Sequence, residues 1–111
     1  MTVVNKVLIP SKQMLAAVTL QYTAPTTART AIDKFTATNT SVSVATITIY
    51  LAAAGDTLDN SKKVVDAHSI QPNETYEASE LVGHMLEAGG FISTEGTASS
   101  LTIRASGREI T

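Results

Sequence analysis

The chain of 111 residues contains no cysteine, which excludes both a disulfide framework and a thiolate-bound zinc. Its stability must come from an apolar core or from assembly. Charge is also scarce. Ionisable Asp, Glu, Lys and Arg make up 16% of residues, against about 25% in ordinary globular chains. A small domain with so little charge either solvates itself through hydroxyls or leaves part of its surface to a partner. The eight Lys and Arg are scattered, and Lys62-Lys63 is the one adjacent pair, read as a solvated pair. Nucleic-acid binding requires clustered cations to neutralise phosphates, so nucleic acid is not an expected partner. No apolar run approaches the ~18 residues of a bilayer span, so no membrane is expected either. Residues 1–6 lack a basic stretch leading into an apolar one, and synthesis in a cytosol without a signal peptide is expected. The triplets Asn39-Thr40-Ser41 and Asn73-Glu74-Thr75 are therefore read as chance matches to a glycosylation signal.

Thr, Val, Ile and Ser dominate, residues that suit a pleated, half-buried surface. Residues 2–9 read as a first strand ended by Pro10. Residues 13–22 alternate, placing Met14, Ala16, Val18, Leu20 and Tyr22 on one face. A loop at 23–27 precedes a third strand, 30–38. In 42–51, Val42 and Val44 share one phase while Ile47, Ile49 and Leu51 share the other, which predicts a bulge near Ala45 or a strand covered on both faces. A polar loop at 53–61 precedes a strand at 64–70, a turn at 71–73 and an extended piece at 75–78. The one helical candidate is 79–86, with Ser79 as cap and Leu81, Val82, Met85 and Leu86 on one face. Ala88-Gly89-Gly90 would stop it. Strands at 91–94 and 100–110 finish the chain, with Gly107 marking a bulge because Ile110 falls out of phase with Leu101, Ile103 and Ala105. Seven to eight short strands and one short helix, with turns every 8–12 residues, predict an all-β antiparallel sandwich of jelly-roll type, one domain over 1–111.

Catalytic chemistry is not legible. No Gly-x-Ser-x-Gly elbow surrounds any serine. Asp66 and His68, two apart on a strand, would share a face as an acid–base couple or a metal fragment, yet no third ligand accompanies them. His84 sits among apolar neighbours and reads as a packed or snorkelling residue and not as a ligand. Asp56, Asp59 and Asn60 lie in one loop, but their spacing does not reproduce the alternating oxygen ligands of a calcium loop, and a solvated turn is the better reading. Gly89-Gly90 is too short for a phosphate cradle. Glycan binding would call for stacked rings, and the chain offers only Phe35, Phe91 and three tyrosines, Tyr22, Tyr50 and Tyr76. No catalytic residue, cofactor or metal is expected, and the chain is not expected to be an enzyme.

The amino terminus is the sharper feature. Residues 3–9 form a β-branched run that is either an edge strand of its own sheet or an arm pairing with a neighbour, with 1–12 as the segment in question. The order of Tyr22-Thr23-Ala24-Pro25, Ile32-Asp33-Lys34-Phe35-Thr36-Ala37-Thr38-Asn39, Thr46-Ile47-Thr48-Ile49-Tyr50-Leu51, Glu74-Thr75-Tyr76, Glu80-Leu81-Val82-Gly83-His84-Met85-Leu86-Glu87-Ala88-Gly89-Gly90 and Ser106-Gly107-Arg108-Glu109-Ile110 resembles small β-sandwich virion proteins of tailed bacteriophages. Within them it is most similar to the head cement, or staple, proteins of epsilon-fifteen-like short-tailed phages. The resemblance spans most of 20–111 and implies a decoration protein on the outside of the capsid. It would clamp neighbouring major capsid protein subunits and associate with its own copies on the lattice. The expected contact residues are Val3, Val4, Val7 and Ile9 on the first strand, Asp56, Asp59 and Asn60 in the long loop, and Pro72 and Asn73 in the later turn. Rival expectations are a tail, collar or baseplate component and a carbohydrate-binding adhesin module.

Overall fold

A computed structural model describes residues 2–97 and 101–111. Among the described residues, nine strands form two antiparallel sheets: β1 (Val3–Gln13), β2 (Thr19–Thr23), β3 (Arg29–Asn39), β4 (Ala45–Ala52), β5 (Lys63–Ile70), β6 (Thr75–Glu77), β7 (Met85–Leu86), β8 (Phe91–Gly96) and β9 (Leu101–Ile110). The first sheet runs β1-β9-β3-β6, with β7 also paired to β3, and the second runs β2-β8-β4-β5. The chain crosses between sheets at nearly every connection, and the late strands β8 and β9 insert between early ones. That is the strand order of a jelly roll, and the expected all-β sandwich is the fold.

Side chains from both sheets fill the space between them. Ile9, Ile32, Phe35, Ile103 and Leu101 from the first meet Ile47, Ile49, Ile70 and Ile92 from the second, all nearly or wholly buried. Their period-two spacing is why these segments are strands: each places one face against water and the other against the opposing sheet. Beside Gly107 an extra residue bulges on each flanking strand, Leu8 on β1 and Asp33 on β3. A Cβ at Gly107 would lie 2.1 Å from the Ala31 carbonyl oxygen, so only glycine lets the two backbones approach here.

Several local expectations change. β1 continues through Pro10 to Gln13, because Pro10 lies on an edge strand at a bulge, where a missing N–H costs no ladder bond. Residues 14–18 are not strand: the chain must there leave the first sheet for the second. A bulge at Gln21 then sets Leu20 opposite Ser93 and Tyr22 opposite Ile92, so Leu20 faces out while Tyr22 faces in. Val42 and Val44 precede β4 in a turn. β4 itself is covered on both faces, with Thr48 and Tyr50 buried on its outer side, and the bulges fall on its partner β5.

The helix expected at 79–86 is a single 3-10 turn, Ser79–Leu81, whose N-cap is Ala78. Gly83 takes φ +89 and turns the backbone into β7. Leu81 and Leu86 reach the core while Val82 and Met85 stay exposed. Tertiary demand for a strand beside β3 overrides a helical pattern too short to stand alone. Gly89, at φ +78, serves the turn before β8 rather than a helix end.

Candidate interaction surface

Three connections converge at one end of the sandwich: residues 14–18, 40–44 and 71–74, joined by Thr97 after β8. Each is pinned by backbone bonds. Met14 N–H donates to the Leu101 carbonyl (2.9 Å), burying the Met14 side chain, and Gly96 N–H donates to the Ala16 carbonyl (3.1 Å). Leu15 and Val18, on either side of that anchor, are left 58% and 50% exposed.

The 40–44 turn is organised by Asn39, which is fully buried. Its Nδ2 donates to the carbonyls of Ser43 (2.7 Å) and Ile70 (2.9 Å), and its Oδ1 accepts the Ser41 N–H (2.9 Å). Its own backbone accepts the Asn73 N–H at 2.8 Å and donates to the Glu74 carbonyl at 2.9 Å. The Asn39 side chain therefore ties β3 to the 40–44 turn and the end of β5, and its backbone ties the 71–74 turn to them. The consequence is that Val42 stands 95% exposed, with Val44 at its base and Asn73 held in a left-handed turn conformation at φ +63.

Leu15, Val18, Val42 and Val44 thus share one end, with Leu20 beside them on edge strand β2. Among 14–18, 40–44, 71–74 and Thr97 the only ionisable residue is Glu74, and its Oε1 accepts the Gln71 N–H (2.9 Å). An apolar surface with this little charge around it is the feature that sets contact sites apart from ordinary solvated surface.

The expected contact residues are distributed differently. Pro72 and Asn73 belong to this end. Val3, Val4 and Val7 are exposed on β1, the edge of the first sheet, while Ile9 is fully buried in the core and offers no surface. Asp56, Asp59 and Asn60 lie at the opposite end. There the Asp56 carboxylate accepts the Ala53 N–H (3.0 Å) and Asp59 Oδ1 accepts the Ser61 N–H (2.9 Å), as turn-capping groups. The Ser61 bonds hold the Asp59 carboxyl below the usual range. β1 itself is an edge strand, ladder-paired to β9 from Val3 to Gln13.

The Asp66–His68 couple does not assemble. Ala67 adopts φ +49 at the β5 bulge and separates its neighbours. Asp66 pairs with Lys63 (3.3 Å), and the His68 ring stacks on Tyr76 at a 3.8 Å centroid distance, closing the gap between the edge strands β5 and β6. His84 is exposed in the turn before β7 rather than packed. Among the described residues no group of three or more His, Asp or Glu gathers as metal ligands.

No family model, curated protein or solved structure matches the chain.

The tyrosines are likewise engaged. Tyr22 and Tyr50 are buried. The Tyr22 hydroxyl donates to Glu109 Oε2 (2.6 Å) beside Thr30 Oγ1 (2.8 Å), and burial together with that carboxylate pushes it up to about 12. Tyr50 donates to Glu95, which with burial raises it to about 12 as well, and Tyr76 donates to Glu80 (2.6 Å). Glu109 in turn sits below the usual carboxylate range, through the Tyr22 hydroxyl first and then Lys6 at 3.1 Å, against the opposing effect of burial. This cluster clamps β1, β2, β3 and β9 to one another. The apolar end was missed in the sequence because Val18 and Leu20 fit an inward phase. The visible trace was the mismatch of Val42 and Val44 with Ile47 and Ile49.

Proposed function

We propose that the protein is a decoration protein of a tailed-phage head, which binds the outside of the assembled shell and bridges neighbouring major capsid subunits. The observation that carries this reading is the apolar, nearly uncharged end formed by Leu15, Val18, Val42 and Val44, held rigid by buried Asn39. The resemblance of residues 20–111 to head cement proteins supplies the class of partner. A jelly roll alone does not, since capsid proteins and lectins both use it.

The physical mechanism is linkage. A protein that binds the assembled lattice and not the free subunit stabilises the lattice by mass action. Rigid loops lower the ordering cost of docking, and each apolar side chain withdrawn from water contributes roughly 1.5–3 kcal/mol at full burial. Repetition over a lattice makes modest single contacts sufficient, particularly where copies also touch one another. Val3, Val4 and Val7 on the β1 edge are assigned to contacts between neighbours. The turn at Pro72 and Asn73 is assigned to the polar rim of the apolar end, and Asp56, Asp59 and Asn60, at the opposite end, to a separate polar contact on the lattice.

The test is co-sedimentation of the purified chain with heads of an epsilon-fifteen-like phage from which the cement protein has been removed, followed by heating. Binding in near-lattice stoichiometry and a higher disruption temperature are expected, with no binding to unassembled capsid subunits. Absence from heads but presence in tails at a dozen copies or fewer would instead make it a tail, collar or baseplate component.

A further inference from the structure

Sheet edges are normally blunted by bulges, prolines, charge or brevity, because an unbroken edge recruits another strand. Three of the four edges here are blunted. β2 carries a bulge at Gln21, β5 has two register shifts, and β6 and β7 are three and two residues long. On β1 the devices are confined to its second half: the bulge at Leu8, Pro10, and a further shift before Lys12. Residues 3–7 hold continuous register with β9, from Val3 opposite Ile110 to Val7 opposite Ser106, and the one charge among them, Lys6, is turned to Glu109 on its own chain.

The hydrogen-bond phase of this segment is fixed. Thr2 and Thr111 exchange both backbone bonds (3.3 and 2.9 Å), so Val4 and Lys6 also direct their backbone groups at β9. Val3, Asn5 and Val7 direct theirs away from the sheet. We propose that this edge pairs with the same edge of a second copy, antiparallel about a two-fold axis through Asn5.

Of the possible registers, only the one centred on Asn5 uses all three free residues: Asn5 faces Asn5, and Val3 and Val7 face each other's mates. Centring on Val7 would run into the Leu8 bulge, and centring on Val3 would leave Val7 outside the partner's β1 strand. In the Asn5 register Lys6 faces Val4, so no like charges meet directly. Val3 and Val7, 46% and 41% exposed in the single chain, become cross-strand pairs. The two amide side chains at the axis are self-complementary donors and acceptors, and an open depression of about 430 Å³ over Asn5, Val7 and Ser106 leaves them room. The interface is isologous, as closed pairs of identical chains require. It needs only the chain itself, and so stands or falls independently of the capsid reading.

The test uses the full chain in solution. Sedimentation at about 1 mM, where a contact with millimolar Kd already pairs half of the chains, is expected to give a weight-average mass of at least about one and a half times the 11.6 kDa chain mass. Asn5→Lys places like charges at the axis on a solvent-exposed site and is expected to return the monomer mass with unchanged unfolding. Because the chain has no cysteine, Asn5→Cys reports register directly. Facing residues in such a pair lie about 5.5 Å apart at Cα, within disulfide reach, so mild oxidation should give a covalent dimer, whereas Leu15→Cys should not. A wild-type monomer at that concentration, or a dimer that survives Asn5→Lys and does not cross-link through position 5, overturns the pairing.

Discussion

Replacing Asn39 tests whether one buried amide holds the apolar end in place. In Asn39→Ala four hydrogen bonds are lost, those donated to the carbonyls of Ser43 and Ile70 and those accepted from the N–H and hydroxyl of Ser41, while the Ser43 carbonyl keeps the Ser41 hydroxyl at 2.9 Å. Those at Ser41 and Ser43 are near solvent and can be rewetted, at about 0.5–1 kcal/mol each. The Ile70 carbonyl belongs to a fully buried residue, and stranding it costs about 1–3 kcal/mol. The expected loss is about 3 kcal/mol, or roughly 12 °C in Tm at about 4 °C per kcal/mol for a domain of this size. Urea unfolding followed by circular dichroism measures it. Asn39→Asp keeps the shape but turns a carboxylate oxygen toward two carbonyls. It is expected to be worse than Asn39→Ala at neutral pH and to recover as pH falls, because protonation removes the buried charge. A loss below 1 kcal/mol for Asn39→Ala, or an Asn39→Asp protein whose stability does not respond to acid, would refute the claim that this side chain organises the end.

Other consequences follow from the same structure. Gly107→Ala drives a methyl into the Ala31 carbonyl and the Leu8 side chain, and should cost about 3 kcal/mol or prevent folding, read by the midpoint of denaturant unfolding. Glu109 is held below its ordinary range by Tyr22 and Lys6. Its contribution is therefore present above the unfolded-state pKa, about 4.3, and is lost as pH falls through the lower folded value. Glu109→Gln should be less stable at pH 7 and show a flatter acid limb. Tyr22, pushed up to about 12, has the opposite sign: its contribution is complete below the ordinary tyrosine pKa near 10 and disappears as pH rises toward 12. Tyr22→Phe should lessen the alkaline loss in a pH series of thermal melts.

The parts of the fold legible in the sequence were those where one side chain in two must be apolar. The strands now seen as β3, β4, β5 and β9 fall within a few residues of their expected places, and Gly107 was marked as a bulge, whereas the extra residues lie beside it, Leu8 on β1 and Asp33 on β3. What was not legible depended on neighbours distant in sequence. A helical spacing at 79–86 yields to pairing with β3, and an alternating run at 13–22 is cut by the need to cross from one sheet to the other. The interaction surface was legible only in part. β1 was singled out because β-branched residues crowd a strand end, and its edge position agrees. The apolar end was obscured because period-two spacing gives a loop valine the same signature as a core valine. Only buried Asn39, whose partners are spread from Ser41 to Ile70, converts Val42 from core candidate to exposed tip.

The most direct test of the account is to make the loop end charged without touching the core. Val42→Asp with Val44→Asp alters two exposed side chains and should leave the unfolding midpoint within the small range of surface substitutions, about 0.5 kcal/mol. In co-sedimentation with cement-free heads, the account predicts that this protein stays in the supernatant while the wild type pellets with the shells. Equal pelleting of the two proteins, with both folded, would contradict it.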